Sequence, residues 1–145
     1  MSDPGAADRQ QVPPLAFPSD VELTVPGSKS EANRLLVAAA LSGVTTEVTG
    51  ASPSDDVRHL IAGLTKLGYE AEYIDESQGL VRVGPRRDDP PTSGELFCGN
   101  AGTATRFLTS VAAITPGEWT ITTDPATKKL TSTCTKRGGD GCAIA

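Results

Sequence analysis

The strongest hydrophobic pattern in the chain lies in residues 55–68. Apolar side chains recur there at positions i, i+3, i+4, i+7 and i+10, which places them on one face of an α-helix. They are Val57, Leu60, Ile61, Leu64 and Leu67. Asp55 or Asp56 is expected to cap the start of this helix, and Gly68 is expected to end it. The pattern therefore predicts a helix that packs into the core.

Two other segments have helical character. Residues 30–41 are rich in Leu and Ala and stop before Gly43. Residues 101–114 stop at Pro116, which cannot continue a helix. The side chains of this second segment that are predicted to be buried are Phe107, Leu108, Val111 and Ile114.

Strands are predicted where β-branched or alternating apolar residues occur between the helices. These segments are 21–25, 45–49, 69–74, 80–83 and 118–123. A turn at 75–79 joins the third to the fourth, and residues 84–95 are predicted to form a polar loop. The order is β-α-β-α-β-β followed by α-β. This predicts one complete βαβαββ unit and the start of a second, in the α/β (α+β) class.

The two ends of the chain lack such patterns. Residues 1–19 contain four prolines and few apolar side chains, so they are predicted to form a disordered arm. Residues 126–145 have weak periodicity and include the sequence GGDG, so a mostly unstructured tail is expected. The predicted folded domain is therefore 20–125.

Composition argues against several classes of function. The net charge is −5 and no block of Lys and Arg occurs, which argues against a nucleic-acid surface. No apolar run approaches the length of a membrane span, and the first residues resemble neither a signal peptide nor a transit peptide. A cytoplasmic location without a membrane partner is therefore expected. Cys98, Cys134, Cys142 and the single histidine, His59, form no close ligand pair, so reduced thiols and no metal cofactor are expected. His59 lies beside the apolar stripe and is expected at the surface.

Two loops carry the candidate chemistry. PGSKSEANR occupies residues 26–34 and GNAGTATR occupies residues 99–106, and each places glycine and small polar residues directly before a predicted helix. The free N–H groups and the positive end of the helix macrodipole would face a ligand above each loop, which is typical of an anion site. Lys29, Arg34 and Arg106 add positive charge. The two loops predict two anionic ligands, or one ligand with two anionic ends.

The first loop alone also has a purely structural interpretation, as a Pro-Gly turn followed by a capped helix. The second loop favours the functional interpretation, because it repeats the same construction. Buried arginines near the starts of helices, at Arg34 and Arg106, would also oppose the helix dipole unless an anion offset them.

The two motifs together resemble one family. PGSKSxxNR, followed about seventy residues later by LFxGNAGTAxR, closely resembles the EPSP synthases, the 3-phosphoshikimate 1-carboxyvinyltransferases of the shikimate pathway to chorismate and the aromatic amino acids. The similarity covers residues 20–125 and includes SDDVRHLIAGLTKLGYE. The related UDP-N-acetylglucosamine enolpyruvyl transferases usually carry a GAKNAA-like first loop, so Ser30 and Arg34 argue against that family.

The resemblance implies an activity and a set of site residues. The family transfers the enolpyruvyl group of phosphoenolpyruvate to the 5-hydroxyl of shikimate 3-phosphate and releases phosphate, without a metal or an organic cofactor. The first loop would contact shikimate 3-phosphate, with Lys29 also near phosphoenolpyruvate and serving as the catalytic residue of this chain. The second loop would lie against phosphoenolpyruvate. The implied substrate-binding residues are Lys29, Ser30, Arg34, Asn100, Ala101 and Gly102.

The chain departs from the family pattern after residue 123. Where the family usually has GDxRMxxRPI, this chain has TDPATKKLTS, which puts Leu130 at the position of an arginine that holds phosphoenolpyruvate. Lys128 and Lys129 cannot replace the planar fork of an arginine. The family also has two domains of three βαβαββ units each, with its general acid and base groups in later parts of the chain.

The resemblance therefore implies the N-terminal part of an EPSP synthase that is inactive alone. A partner would then be a separate C-terminal half. A truncated or frameshifted gene, one half of a split enzyme and a natural short homologue would each produce such a sequence. The alternative function is a non-catalytic module that binds an anion or a partner and is derived from the same fold.

Overall fold

The computed structural model describes residues 22–23, 25–124, 132–136 and 143–144. Helices and strands alternate along this part of the chain, which confirms the α/β class. The elements are α1 (Lys29–Ser42), β1 (Thr46–Val48), α2 (Asp55–Lys66), β2 (Tyr69–Asp75), β3 (Leu80–Arg86), β4 (Ser93–Phe97), α3 (Gly102–Ile114), β5 (Gly117–Thr122), β6 (Ser132–Lys136) and β7 (Ala143–Ile144). The predicted arm at 1–19 and the position of Leu130 lie outside the described residues.

The strands form two sheets. The first has the order β1-β3-β2 and is antiparallel throughout, with Val48 opposite Val81 and Tyr73 opposite Val81 on the other side. The second has the order β4-β5-β6-β7. Strands β4 and β5 are parallel, with Leu96 opposite Ile121, and α3 is the crossover between them. This β4-α3-β5 unit positions the second loop, because the loop is the connection from β4 to α3.

The three helices pack against one another and against both sheets. Helices α2 and α3 pack tightly at Gly63, where a Cβ would overlap the side chain of Leu108. The largest fully buried side chains come from all three helices and both sheets and form one core. They include Leu36, Val57, Leu60, Leu64, Leu67, Val81, Val83, Leu96, Leu108, Trp119 and Ile121.

The predicted core helix is confirmed, but its cap is different. All five apolar residues of the stripe are buried in α2 or at its C-cap. The N-cap is Ser54, although its hydroxyl makes no capping hydrogen bond with the described residues. Asp55 and Asp56 instead occupy the first turn, where the positive end of the helix dipole stabilises carboxylates.

Two predictions around the second sheet are wrong. The stretch 84–95 is not entirely a loop, because β3 continues to Arg86 and β4 begins at Ser93. Strand β4 starts with Ser-Gly-Glu, which has little intrinsic strand preference, and is formed by pairing with β5. Ile114 was predicted to be buried but is 55% exposed, because it is the last residue of α3 and lies at the edge of the buried face that carries Leu108 and Val111.

The ends of the described chain also differ from the expectations. Of the predicted strand 21–25, the described residues are not in a strand, and Leu23 and Val25 are 79% and 76% exposed. They have no strand partner within the described part of the chain. In the stretch predicted as a mostly unstructured tail, β6 pairs with β5 and β7 pairs with β6. The alternating threonines of residues 131–135 give β6 the β-branched character that a strand favours.

Candidate functional site

The first loop leads directly into α1. Ser28 is the N-cap of this helix, and its Oγ accepts a hydrogen bond from the Glu31 N–H at 3.4 Å. The loop is held close to the backbone that follows β1, because a Cβ on Gly27 would collide with the carbonyl oxygen of Gly50. Lys29 is the first residue of α1, so the loop fixes its Cα at the helix N-terminus.

The second loop leads into α3 and leaves the helix start open. Its N-cap is Ala101, which has no side-chain oxygen. Within the described residues no side chain caps this helix, and its first turn contains no acidic residue. The N-cap and the first turn of α3 therefore supply no negative charge to offset the positive end of its dipole. A Cβ on Gly102 would meet no atom within 4 Å, so a ligand can approach the backbone here.

Helix α2 contacts both loops through two residues of its N-terminal half. The Nζ of Lys29 lies 3.3 Å from Oδ1 of Asp56. The His59 ring packs edge-on against Phe97, with ring centroids 5.5 Å apart. Its Nε2 also lies 2.6 Å from the place that a Cβ on Gly99 would occupy. The starts of all three helices therefore lie at one end of the helix layer.

Asp56 and His59 were not expected at the site from the sequence. Asp56 was expected only as a cap, and His59 was expected at the surface, whereas the structure half-buries His59 against the second loop. Their spacing, i and i+3, does put both residues on one face of α2. What this face touches depends on the packing of α1 and the β4-α3 connection, which no local pattern reveals.

The arginines predicted as buried are exposed. Arg34 donates from its Nη1 to the carbonyl oxygen of Ser30 at 3.1 Å, and Arg106 is exposed on α3. The two guanidinium groups are therefore accessible from solvent, and the argument that their burial would require an anion does not apply. The described residue of the first motif that is fully buried and polar is Asn33, and neither amide atom has a partner among the described residues.

The second loop also contains a cysteine that is unsuited to nucleophilic chemistry. Cys98 is a free thiol, fully buried, and its Sγ lies 3.7 Å from the carbonyl oxygen of Leu96. Burial raises the pKa of this thiol, and a hydrogen bond with Thr105 only partly opposes the effect. The thiol is therefore protonated at neutral pH. In the described part of the chain, no three His, Cys, Asp or Glu residues cluster as metal ligands would.

The EPSP synthase family model, described as 3-phosphoshikimate 1-carboxyvinyltransferase, matches residues 18–129. This chain belongs to the EPSP synthase family. The match includes both loops and α2, and it stops directly before Leu130. The family assignment thus rests on the same residues that form the geometry described above.

Individual members of the EPSP synthase family agree with the assignment. The 3-phosphoshikimate 1-carboxyvinyltransferase of Vibrio vulnificus is 42% identical over 109 residues, covering 74% of this chain and 26% of the relative. That of Herminiimonas arsenicoxydans is 43% identical over 97 residues, covering 67% and 22%. An EPSP synthase structure from Acinetobacter baumannii superposes with a TM-score of 0.60 at 26% identity, covering 72% of this chain and 23% of that one. The chain spans about a quarter of the length of the curated relatives that it matches.

None of the helices in the described ranges has both the length and the apolar character that crossing a membrane requires.

Proposed function

We propose that this chain contributes two substrate-binding loops to the cleft of a 3-phosphoshikimate 1-carboxyvinyltransferase. The first loop binds shikimate 3-phosphate and the second binds phosphoenolpyruvate. The observation that carries the proposal is the meeting of both loops at the same end of α2, each at the start of a helix. Two helix N-termini side by side suit two anionic substrates that must react with each other.

The first loop offers three kinds of donor to a phosphate. The N–H groups at the start of α1 point away from the helix, and Ser28 occupies only that of Glu31. Ser30 adds a hydroxyl, and Arg34 can exchange its bond to the Ser30 carbonyl for a charge-assisted bond to phosphate. Lys29 reaches Asp56 in the first turn of α2, and His59, one turn further along this helix, lies against the second loop. We therefore propose that the Lys29 ammonium serves both substrates.

The second loop would bind an anion mainly through backbone N–H groups. Asn100 and Ala101 precede the start of α3, where the N–H groups of Ala101 and Gly102 donate to the carbonyl oxygens of Cys98 and Asn100. Gly102 leaves room for a carboxylate or phosphate to reach the N–H groups of the helical turn that follows. Arg106, exposed on the next turn, adds positive charge to the same end of the helix. These features support phosphoenolpyruvate as the ligand.

In the proposed reaction, the 5-hydroxyl oxygen of shikimate 3-phosphate bonds to the enol carbon of phosphoenolpyruvate. The bond from that carbon to the phosphate oxygen breaks, and phosphate leaves. In the overall reaction the proton of the hydroxyl group is transferred to this phosphate. Lys29 contributes by holding and stabilising the anionic groups of both substrates. General acid and base groups are not assigned to this chain, so we expect it to be inactive alone.

Calorimetric titration of the purified chain with shikimate 3-phosphate tests the proposal. We expect Lys29→Ala to weaken binding by about 1.5 to 3 kcal/mol, as for loss of a charge-assisted hydrogen bond. The matched control is Lys66→Ala, which removes the same charge from the last turn of α2, where Nζ contacts the Glu95 carbonyl. Equal affinities for the wild type and both variants, with the fold intact by circular dichroism, would contradict the assignment of Lys29.

The alternative, a non-catalytic binding module, predicts the same affinities and differs in turnover. Phosphate release from phosphoenolpyruvate can be measured with the chain alone and with the remaining part of a related EPSP synthase added. Activity that depends on shikimate 3-phosphate and on the added part supports the transferase. Binding without turnover in any combination supports the module.

A further inference from the structure

Lys29 occupies an electrostatically unfavourable place. It is a cation in the first turn of α1, where the helix dipole repels positive charge. Its side chain is long, flexible and 56% exposed, so the backbone alone does not determine where its ammonium lies. A residue in this situation needs a fixed acidic partner if its ammonium is to hold one position.

Asp56 has the properties of such a partner. It lies in the first turn of α2, where the dipole favours a carboxylate, and its side chain is only 18% exposed. Its Oδ1 lies 3.3 Å from Nζ of Lys29, across 27 residues of sequence. The short Asp side chain has few rotamers, so the more rigid member of the pair determines the position of the more flexible one.

The pair is poorly suited to a role in stability alone. Exposed ion pairs contribute about 0 to 1 kcal/mol. An ammonium has three donors, and Asp56 takes one of them. The other two make no hydrogen bond with the described residues, so they can point at the space above the loops. The same face of α2 also carries His59, which packs against the second loop. Helix α2 thus fixes a side chain of one loop and the backbone of the other.

We infer that Asp56 is a positioning residue, which holds the Lys29 ammonium between the two loops and leaves two of its donors for anionic substrates. The inference rests on the proposed function, because it requires that Lys29 binds substrate. It also predicts the direction in which the affinity for an anion changes when the carboxylate of Asp56 is removed. Removing a negative charge beside an anion site should by itself strengthen anion binding, whereas losing a positioning residue should weaken it.

The test compares Asp56→Asn with Asp55→Asn. Both variants remove one carboxylate from the first turn of α2, so they share the change in net charge and in dipole interaction. Asp55 forms none of the ion pairs found within the described residues, whereas Asp56 pairs with Lys29. The first readout is the NMR order parameter of the Lys29 Cε methylene without ligand. We expect it to fall in Asp56→Asn and to stay at the wild-type value in Asp55→Asn.

The second readout is the affinity for shikimate 3-phosphate by calorimetry. We expect Asp56→Asn to weaken binding by about 3- to 10-fold, the range of one net hydrogen bond, and Asp55→Asn to leave it unchanged or tighter. In the Lys29→Ala background, Asp56→Asn should no longer weaken binding. Asp56→Glu, which keeps the charge, should restore part of the affinity.

The outcomes separate this inference from the proposed function. If Lys29→Ala weakens binding but Asp56→Asn binds as tightly as Asp55→Asn, the inference is wrong and the proposed function stands. An unchanged order parameter in Asp56→Asn would overturn the inference whatever the affinities are. If Lys29→Ala has no effect on affinity, the proposed role of Lys29 is wrong and the inference fails with it.

Discussion

The contact between Gly99 and His59 gives a prediction about the second loop. Gly99 has a φ of +50°, a left-handed conformation that costs a residue with a Cβ about 1 to 2 kcal/mol. The new Cβ in Gly99→Ala would also lie 2.6 Å from Nε2 of His59, so the His59 ring would have to shift and disturb its packing against Phe97. Overpacking of this kind costs about 1 to 3 kcal/mol. We therefore expect Gly99→Ala to lower the free energy of unfolding by about 2 to 5 kcal/mol.

Gly102→Ala is the matched control, because it makes the same change three residues later in the same loop. The backbone of Gly102 is outside the left-handed region and no atom lies within 4 Å of its Cβ position. We expect its stability to be unchanged or to rise by up to about 1 kcal/mol, since Ala favours helix. Its effect should instead appear as weaker binding of phosphoenolpyruvate, because the methyl group projects into the space that the ligand would occupy.

Urea unfolding measures both effects. Trp119, the single tryptophan, is fully buried in β5 and reports on the core by fluorescence. In the double variant His59→Ala/Gly99→Ala, the cost of overlap between the new Cβ and the His59 ring should be relieved. The cost of the left-handed backbone at residue 99 should remain. The double variant should therefore be about 1 to 3 kcal/mol more stable than the sum of the single changes predicts. Equal stability of Gly99→Ala and Gly102→Ala, or strict additivity of Gly99→Ala with His59→Ala, would show that Gly99 is neither strained nor in contact with His59.

Three further predictions concern packing and self-association. Gly63→Ala should lower the free energy of unfolding by about 1 to 3 kcal/mol through overlap with Leu108, and adding Leu108→Ala should remove this loss. Additive losses in the double variant, measured by urea unfolding, would contradict the contact. Asn33→Leu should raise the free energy of unfolding by about 1 to 3 kcal/mol, since a buried amide without partners among the described residues is replaced by a hydrocarbon. A lower melting temperature than that of the wild type would show that the amide is paired. The exposed Leu35 and Leu41 on α1 should promote self-association, so Leu35→Lys/Leu41→Lys should sediment as a smaller species than the wild type at high concentration; identical sedimentation would refute this.

The sequence was sufficient for the parts of the fold that local periodicity determines. The apolar spacing in α2 fits a helix and not a strand, so the burial of Val57, Leu60, Ile61, Leu64 and Leu67 was predicted correctly. The turn at 75–79 followed from its polar and glycine residues, and the structure gives turn residues between β2 and β3. The two loops were also visible, since a glycine-rich loop before a helix is a local feature.

The sequence was insufficient where long-range pairing decides the structure. Strand β4 has weak strand preference and exists because β5 supplies its hydrogen bonds. Ile114 satisfies an apolar pattern, but α3 turns this side chain away from the core. Asp56 was identified from the sequence as a candidate helix cap. Its contact with Lys29 joins two helices, so neither segment alone predicts it.

The central claim is that the two loops form the substrate site of an EPSP synthase. An NMR titration of the ¹⁵N-labelled chain, first with shikimate 3-phosphate and then with phosphoenolpyruvate, tests it most directly. We expect amide shifts in residues 28–34 on the first addition and in residues 99–103 on the second, with the C-terminal end of α2 at Lys66 unchanged. Saturable shifts that lie elsewhere, or no shifts in either loop at millimolar ligand with the fold intact, would contradict it.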